Sequence, residues 1–359
     1  MIRSLALPKM WEINLLATDQ YYKYAQAPEL LRKEALEKIN SGQVDIIFID
    51  EIQRLPVLLN EVQLVIDQTG CRFILTGSSS RKLKRGGANL LGGRAVQRTL
   101  SPFMVREIGA GFQLEDVLLY GSLPSVFGRD SASRRDLLNA YVHIYLKEEI
   151  QSEGLVRNIG VFSRFLNVAA SQSGELLSYA NVGRECHVKD PVIKGYFEIL
   201  EDTLIGFRLE PWVKSVRKRL AAHPKFYLFD TGVTNTLNQS LFAPIPALLR
   251  GRLFEQFLVL ETRRTLERSL SDTAMYFWRT NHQAEVDLLL VRQNQIVAAF
   301  EIKAKRSISS ADFSGLRAFG QEHPKVPLHL ICEVEHSYQD QSVHVLSWKD
   351  YLERLEPYL

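Results

Sequence analysis

Cysteine is scarce in this sequence, and the few cysteines present lie far apart. Cys71, Cys186 and Cys332 are odd in number and widely spaced, which excludes a disulfide framework and a cysteine-rich zinc site. Such usage suits a reducing compartment, and a cytoplasmic protein is expected. Long hydrophobic runs are also lacking. The longest, at residues 46–49 and 288–291, fall far short of the roughly 20 residues that span a bilayer. They read as buried strands, and no membrane partner is expected. The first residues show no charged segment followed by an apolar stretch, so no secretory signal is expected. Neither sign of charge dominates: 44 Lys and Arg face 41 Asp and Glu, for a net charge of +3. A nucleic-acid partner would therefore have to be met by a local basic patch. No internal repeat and no low-complexity segment is present.

What is present is ordinary globular material. A hydrophobic fraction of 46% and a charged fraction of 24% argue against disorder, and 359 residues suggest two or three domains. Residues 11–17 read as a strand and 28–39 as an amphipathic helix. Residues 44–49 form an apolar run suited to the centre of a parallel sheet, 55–67 a helix, and 73–76 a second buried strand. This alternation predicts a doubly wound α/β domain. Residues 81–93 are basic and glycine-rich and read as an exposed loop. A helical stretch follows, with a long helix at 134–149. Three short helical elements, at 161–171, 178–184 and 190–201, then lead into strands at 204–209 and 226–229. Three helices and a β ribbon is the winged-helix order. From residue 251 the pattern is helix, three strands, helix (309–319), a last strand (326–331) and a C-terminal helix.

The first chemical signal is Asp45-Ile-Ile-Phe-Ile-Asp-Glu51. A buried strand delivers Asp50 and Glu51 to the carboxyl edge of a parallel sheet, where ligands bind in open α/β folds. In nucleotide hydrolases such an Asp faces Mg²⁺ and the following Glu polarises the attacking water. The next strand ends at the same edge with Thr76 and Ser78, either of which could hydrogen-bond a terminal phosphate. Arg94 follows where an arginine can reach a phosphate or can serve simply as a loop cation.

Phe48-Ile-Asp-Glu-Ile-Gln53, Leu75-Thr-Gly-Ser-Ser79, Leu91-Gly-Gly-Arg94, Leu100-Ser-Pro-Phe103 with Glu107, Tyr120-Gly-Ser-Leu-Pro124 and the helix at 141–149 occur in series. Together they resemble the AAA-type ATPases that carry a C-terminal domain of unknown function 4143. The resemblance covers essentially the whole chain. It implies an ATP and Mg²⁺ site with Asp50 as metal-binding acid, Glu51 as water-activating acid and Arg94 as a phosphate contact. It also sets up a departure. That family places a phosphate-binding loop, G-x-x-x-x-G-K-[ST], ahead of this point, and no such string occurs in these 359 residues. Residues 1–8 resemble the end of the helix after that loop. The chain is therefore expected to begin just downstream of it and to leave a neighbour of strand 46–49 unpaired. ATP hydrolysis is expected to be weak or absent. A longer translated form and a degraded gene account for this equally.

The second chemical signal is Glu285-Val-Asp287 followed by Glu301-Ile-Lys303. Residues two apart on a strand share a face, so Glu301 and Lys303 point together. Asp287 on a neighbouring strand can join Glu301 around a hard cation, with Lys303 placed to orient water or stabilise charge on phosphorus. This is the logic of the restriction-endonuclease-like PD-(D/E)xK arrangement, and Glu255 on the preceding helix offers a third carboxylate. A lone E-x-K means little, and a retained fold with charges kept for structure is the alternative.

In the middle segment, Arg184, Lys189 and Lys194 are candidate phosphate contacts of a helix-turn-helix. Lys214-Ser-Val-Arg217-Lys218-Arg219, with Lys225 after it, would lie in or near the wing, as a DNA-binding cluster or as a solvated loop. The expected organisation is a partial P-loop-type parallel-sheet domain at 1–112, a helical linker at 113–150, a winged-helix segment at 151–235 and a restriction-endonuclease-like α/β domain at 245–359. Three readings stand. The first is an AAA-type ATP-dependent protein with a DNA-binding or DNA-cutting tail. The second is a metal-dependent deoxyribonuclease on an N-terminal scaffold. The third is a non-enzymatic DNA- or protein-binding module. The sequence does not set the oligomeric state.

Overall fold

The computed structural model describes residues 2–5, 7–77, 95–145, 158–213, 223–242, 244–280 and 282–358. The chain forms two compact units, Met1–Gln97 with Asp202–Leu204, and Arg98–Glu201 with Ile205–Leu359.

In the first unit, β1 (Met10–Asn14), β2 (Ile46–Asp50) and β3 (Arg72–Leu75) form a parallel sheet in the order β1-β2-β3. The central strand β2 is buried from Ile46 to Ile49 and reaches partial exposure only at Asp50. Its uninterrupted apolar run is what a strand covered on both faces requires. Helices α1 (Thr18–Gln26) and α2 (Glu29–Asn40) connect β1 to β2, and α3 (Leu58–Thr69) connects β2 to β3. Leu58, Val62 and Val65 recur at helical spacing on α3 and pack with Leu31, Ile47 and Ile49 in one apolar cluster. Each such buried side chain contributes about 1.5–3 kcal/mol. Gly70 ends α3 with φ of 68°, a left-handed cap open to glycine. Because all three strands run the same way, Asn14, Asp50 and Leu75 finish at one edge.

The second unit opens with short helical turns at Val105–Ile108 and Gly109–Gly111, followed by α4 (Leu114–Tyr120) and α5 (Ser131–Ala140). The helix expected at 134–149 instead passes at Tyr141–Tyr145 into a π-helical turn, and residues 146–157 lie outside the described residues. Next come α6 (Ile159–Ser171), α7 (Tyr179–Cys186) and α8 (Asp190–Asp202), then the antiparallel pair β4 (Gly206–Pro211) and β5 (Lys225–Leu228), then α9 (Thr231–Leu237). Buried Asp230 clasps this region. Its carboxylate accepts from the N–H of Val233 at 3.1 Å, capping α9, and from Ser122 N–H at 2.9 Å. The clasp needs two glycines. A Cβ on Gly121 would meet Asp230 Oδ1 at 2.0 Å, and one on Gly232 would meet the Tyr120 carbonyl oxygen at 2.1 Å.

The long helix α10 (Ala247–Ser269) precedes an antiparallel meander of β6 (Ala274–Arg279), β7 (Glu285–Arg292) and β8 (Gln295–Lys303). Then come α11 (Ser314–Glu322), β9 (Leu328–Cys332), β10 (Tyr338–Asp340), β11 (Val343–Ser347) and α12 (Trp348–Glu353). The last two strands were not anticipated. Of the two, β10 is only three residues long, too short for periodicity to register. The sheet is mixed and eight-stranded, in the order β10-β11-β9-β8-β7-β6-β4-β5. Leu288, Leu290, Ala298 and Phe300 pack with Phe254 and Phe257 of α10, while Leu289, Val291 and Ala299 pack with Leu316 and Phe319 of α11. Alternation along β7 and β8 thus sends side chains to two helix-covered faces. The β4–β5 pair is no detached wing: β4 also pairs in parallel with β6, through Glu210–Tyr276 and Pro211–Phe277. Among the described residues no helix is long and apolar enough to cross a membrane.

Candidate functional sites on two sheet edges

At the carboxyl edge of the first sheet, the Thr76 hydroxyl donates to Asp50 Oδ1. The backbone supports this contact from both sides, because Thr76 N–H donates to the Ile49 carbonyl and Ile52 N–H donates to the Thr76 carbonyl, each at 3.0 Å. Glu51 stands immediately beyond the strand with φ of 61° and ψ of 41°. A left-handed conformation at a non-glycine residue costs about 1–2 kcal/mol and persists where surrounding contacts enforce it. Here the buried Gln53 side chain donates its amide N–H to Glu51 Oε2. A Cβ on Gly77 would meet Gln53 Oε1 at 2.4 Å, so a larger residue there would push the Gln53 amide from its place beside Glu51. Asp50 and Glu51 are both part-exposed. The edge therefore offers one carboxylate oriented by a hydroxyl and a second oriented by an amide. Ser78 and Arg94 lie outside the described residues.

The second constellation gathers around Lys225, on β5. Its Nζ lies 2.6 Å from Glu285 Oε1, 3.0 Å from Glu255 Oε1 and 3.8 Å from Asp287 Oδ1, and its side chain is only 4% exposed. Tyr227, two residues along the same strand, donates its hydroxyl to Glu255 Oε1 at 2.6 Å. Arg279 donates to Glu285 Oε2 at 2.8 Å, and Asp287 Oδ2 accepts from the Ile302 N–H at 2.8 Å. On β8, Lys303 pairs with Glu301 Oε1, while Glu301 Oε2 is buried without a hydrogen-bond partner among the described residues.

Electrostatics follow from this crowding. Burial pushes the Glu301 carboxyl up to about 8, with Asp287 adding to the rise and Lys303 opposing it. Asp287 moves up to about 6, through burial first and Glu255 second, against Lys225 and Lys303. Burial works against the charge on Lys225, but Glu255, Tyr227, Asp287 and Glu285 outweigh it and hold the ammonium protonated. Glu285 is correspondingly held below the ordinary carboxylate range: burial raises it, and Lys225 and Arg279 more than reverse that.

A divalent ion at this second edge would need several carboxylate oxygens converging on one point. Among the described residues, no group of three or more His, Cys, Asp or Glu is placed to hold a metal ion. The point where Glu255, Glu285 and Asp287 converge is filled by an ammonium. The donor set as it stands does not fit Mg²⁺.

Comparison with known proteins gives matches along most of the chain. A family model described as an AAA domain matches residues 2–109, and one described as a domain of unknown function, DUF4143, matches residues 250–351. The chain has an AAA-type plus DUF4143 architecture. A further domain of unknown function, DUF8612, matches residues 111–242 between them. An uncharacterized protein of Mycobacterium tuberculosis is 31% identical over 273 residues, which cover 73% of this chain and 59% of that protein. An uncharacterized protein of Methanocaldococcus jannaschii is 23% identical over 273 residues, covering 69% and 59%. The chain thus spans about three fifths of the length of these curated relatives. No solved structure matches it.

Of the residues singled out from sequence, the structure brings Asp50, Glu51 and Thr76 together at the AAA-type edge. It places Glu255 and Asp287 around Lys225, and Glu301 with Lys303 on the adjoining strand. Arg184, Lys189 and Lys194 are exposed on α7, the turn after it and α8. Arg217, Lys218 and Arg219 lie outside the described residues. Lys225, grouped from sequence with that basic run, is instead buried and ion-paired, because β5 carries it inward toward three carboxylates. Sequence reasoning also missed Gln53 and Glu285. Glu285 begins the same Glu-Val-Asp string as Asp287, and that shared string was the available signal.

Proposed function

We propose that this chain is an AAA-type, ATPase-like protein whose first unit binds nucleotide at the Asp50–Glu51 edge and whose second unit binds rather than cuts its partner. The observation that carries the first half is the Thr76–Asp50 contact beside Glu51 at the carboxyl edge of a parallel sheet, within residues matching an AAA domain. Two carboxylates with a neighbouring hydroxyl suit a Mg²⁺–nucleotide complex, in which phosphate oxygens and water complete the shell of the ion. Asp50 is the residue that would hold the ion, and the ion would neutralise charge on the phosphates. Thr76 keeps the Asp50 carboxylate aimed at the edge. Glu51 is held where it can accept a proton from a water molecule. Within these 359 residues no G-x-x-x-x-G-K-[ST] string supplies the backbone cradle and lysine for phosphates, so binding is weak and turnover very slow in this chain.

Titration of a fluorescent ATP analogue with Mg²⁺ tests this reading. We expect roughly millimolar affinity that falls at least about tenfold in Asp50→Ala. Equal binding by wild type and Asp50→Ala, or no Mg²⁺-dependent binding, overturns it. Rapid hydrolysis that stops in Glu51→Gln would overturn the slow-turnover part alone.

For the second unit, the exposed cations Arg184, Lys189 and Lys194 around the α7–α8 turn favour contact with a nucleic-acid backbone. The turn itself is tight, since a Cβ on Gly183 would meet the Val188 carbonyl at 2.7 Å. Duplex DNA binding should weaken as salt rises, and Lys189→Ala with Lys194→Ala should lower the salt slope by about 2. Salt-independent binding, or a slope the double variant leaves unchanged, removes DNA as the partner and leaves a protein.

A further inference from the structure

A carboxylate cluster of the kind that binds a hard cation usually waits for one. Here a helix residue, Glu255, and two strand residues, Glu285 and Asp287, meet a cation supplied by the chain itself. We propose that Lys225 is the resident cation of this site, occupying the point a divalent ion would claim, so that the site is independent of metal and anchors the middle segment to the C-terminal sheet.

Three observations carry this. The distances of 2.6 Å and 3.0 Å to Glu285 and Glu255 are those of charge-assisted N⁺–H···O⁻ bonds. Other donors share these carboxylates: Arg279 bonds Glu285 Oε2, the Ile302 N–H bonds Asp287 Oδ2, and the Tyr227 hydroxyl joins Lys225 on Glu255 Oε1. Finally, Lys225 is held by its surroundings. It belongs to β5, paired to β4 at Leu209, its ammonium lies over the Phe277 ring at 5.6 Å, and moving it off the carboxylates would leave three partly or fully buried acids without their cation. A metal entering with Lys225 in place would lie a few ångströms from a fixed positive charge, in surroundings that screen it poorly. The inference holds whether or not the first unit binds nucleotide.

The test uses the full chain in an Asp50→Ala background, which silences the other acidic edge. Thermal unfolding and isothermal titration are followed with MnCl₂. With Lys225 intact we expect no bound Mn²⁺ and a melting temperature unmoved by it. Lys225→Met should melt lower without metal and regain several degrees with Mn²⁺. That gain should vanish when Asp287→Asn is added. Mn²⁺ binding by the Lys225 protein that disappears in Asp287→Asn overturns the proposal. So does a Lys225→Met protein that melts like its parent with or without metal. If Lys225→Met does not fold, the titration of the Lys225 protein against its Asp287→Asn variant decides alone.

Discussion

Glu301 ties its protonation to stability. Its ordinary carboxylate value of about 4.5 is lifted to about 8 in the folded protein, mainly by burial. Between those values the folded state holds a proton that the unfolded state has lost, so stability falls as pH rises through that window. We expect a loss on the order of 2–4 kcal/mol between pH 5 and pH 8, and a flatter profile in Glu301→Gln, both read from urea unfolding. Identical slopes in the two proteins would contradict the assignment. Glu51 offers a second test of a single residue. Glu51→Gly removes a left-handed non-glycine conformation and should stabilise the first unit by up to about 1 kcal/mol while lowering any nucleotide turnover. Unchanged or reduced stability would mean that the Gln53 contact outweighs the strain. At this scale the sequence was uneven as a guide. Asp50 and Thr76 were legible because each terminates an apolar strand run, which fixes both at one sheet edge. Lys225 was not, because its partners lie 30 to 62 positions later in the chain (Glu255, Glu285 and Asp287) and nothing local distinguishes it from the basic run before it.

Among the elements, α9 depends on a residue outside its own length. Asp230 caps it and at the same time holds Ser122, 108 positions earlier. Asp230→Ala should cost about 2–4 kcal/mol, combining a lost cap with a buried N–H left unpaired, as measured by denaturant midpoint. A cost under about 1 kcal/mol would show the clasp to be incidental. Helices α7 and α8 and the meander β6–β8 were readable from period and turn residues alone. The role of β4 was not, since one strand serving two partners leaves no mark in a periodic pattern. The three-residue β10 escaped for want of length.

Across the second unit, the hairpin after α8 and the sheet after α10 are one hydrogen-bonded surface. Amides of β5 should therefore lose hydrogen-exchange protection in step with those of β8, at matching free energy in rising denaturant. Release of β5 well before β8 would instead make the middle segment a separate cooperative body. The shared sheet also bears on any attempt to cut the protein down. A fragment starting at residue 245 would seem to begin cleanly ahead of α10, yet it would strip away β4 and β5, which close the sheet beside β6. Such a fragment would present the raw margin of β6 to its neighbours in solution and leave Glu255, Glu285 and Asp287 with no ammonium between them, so it should precipitate or pair with itself where the intact chain does not.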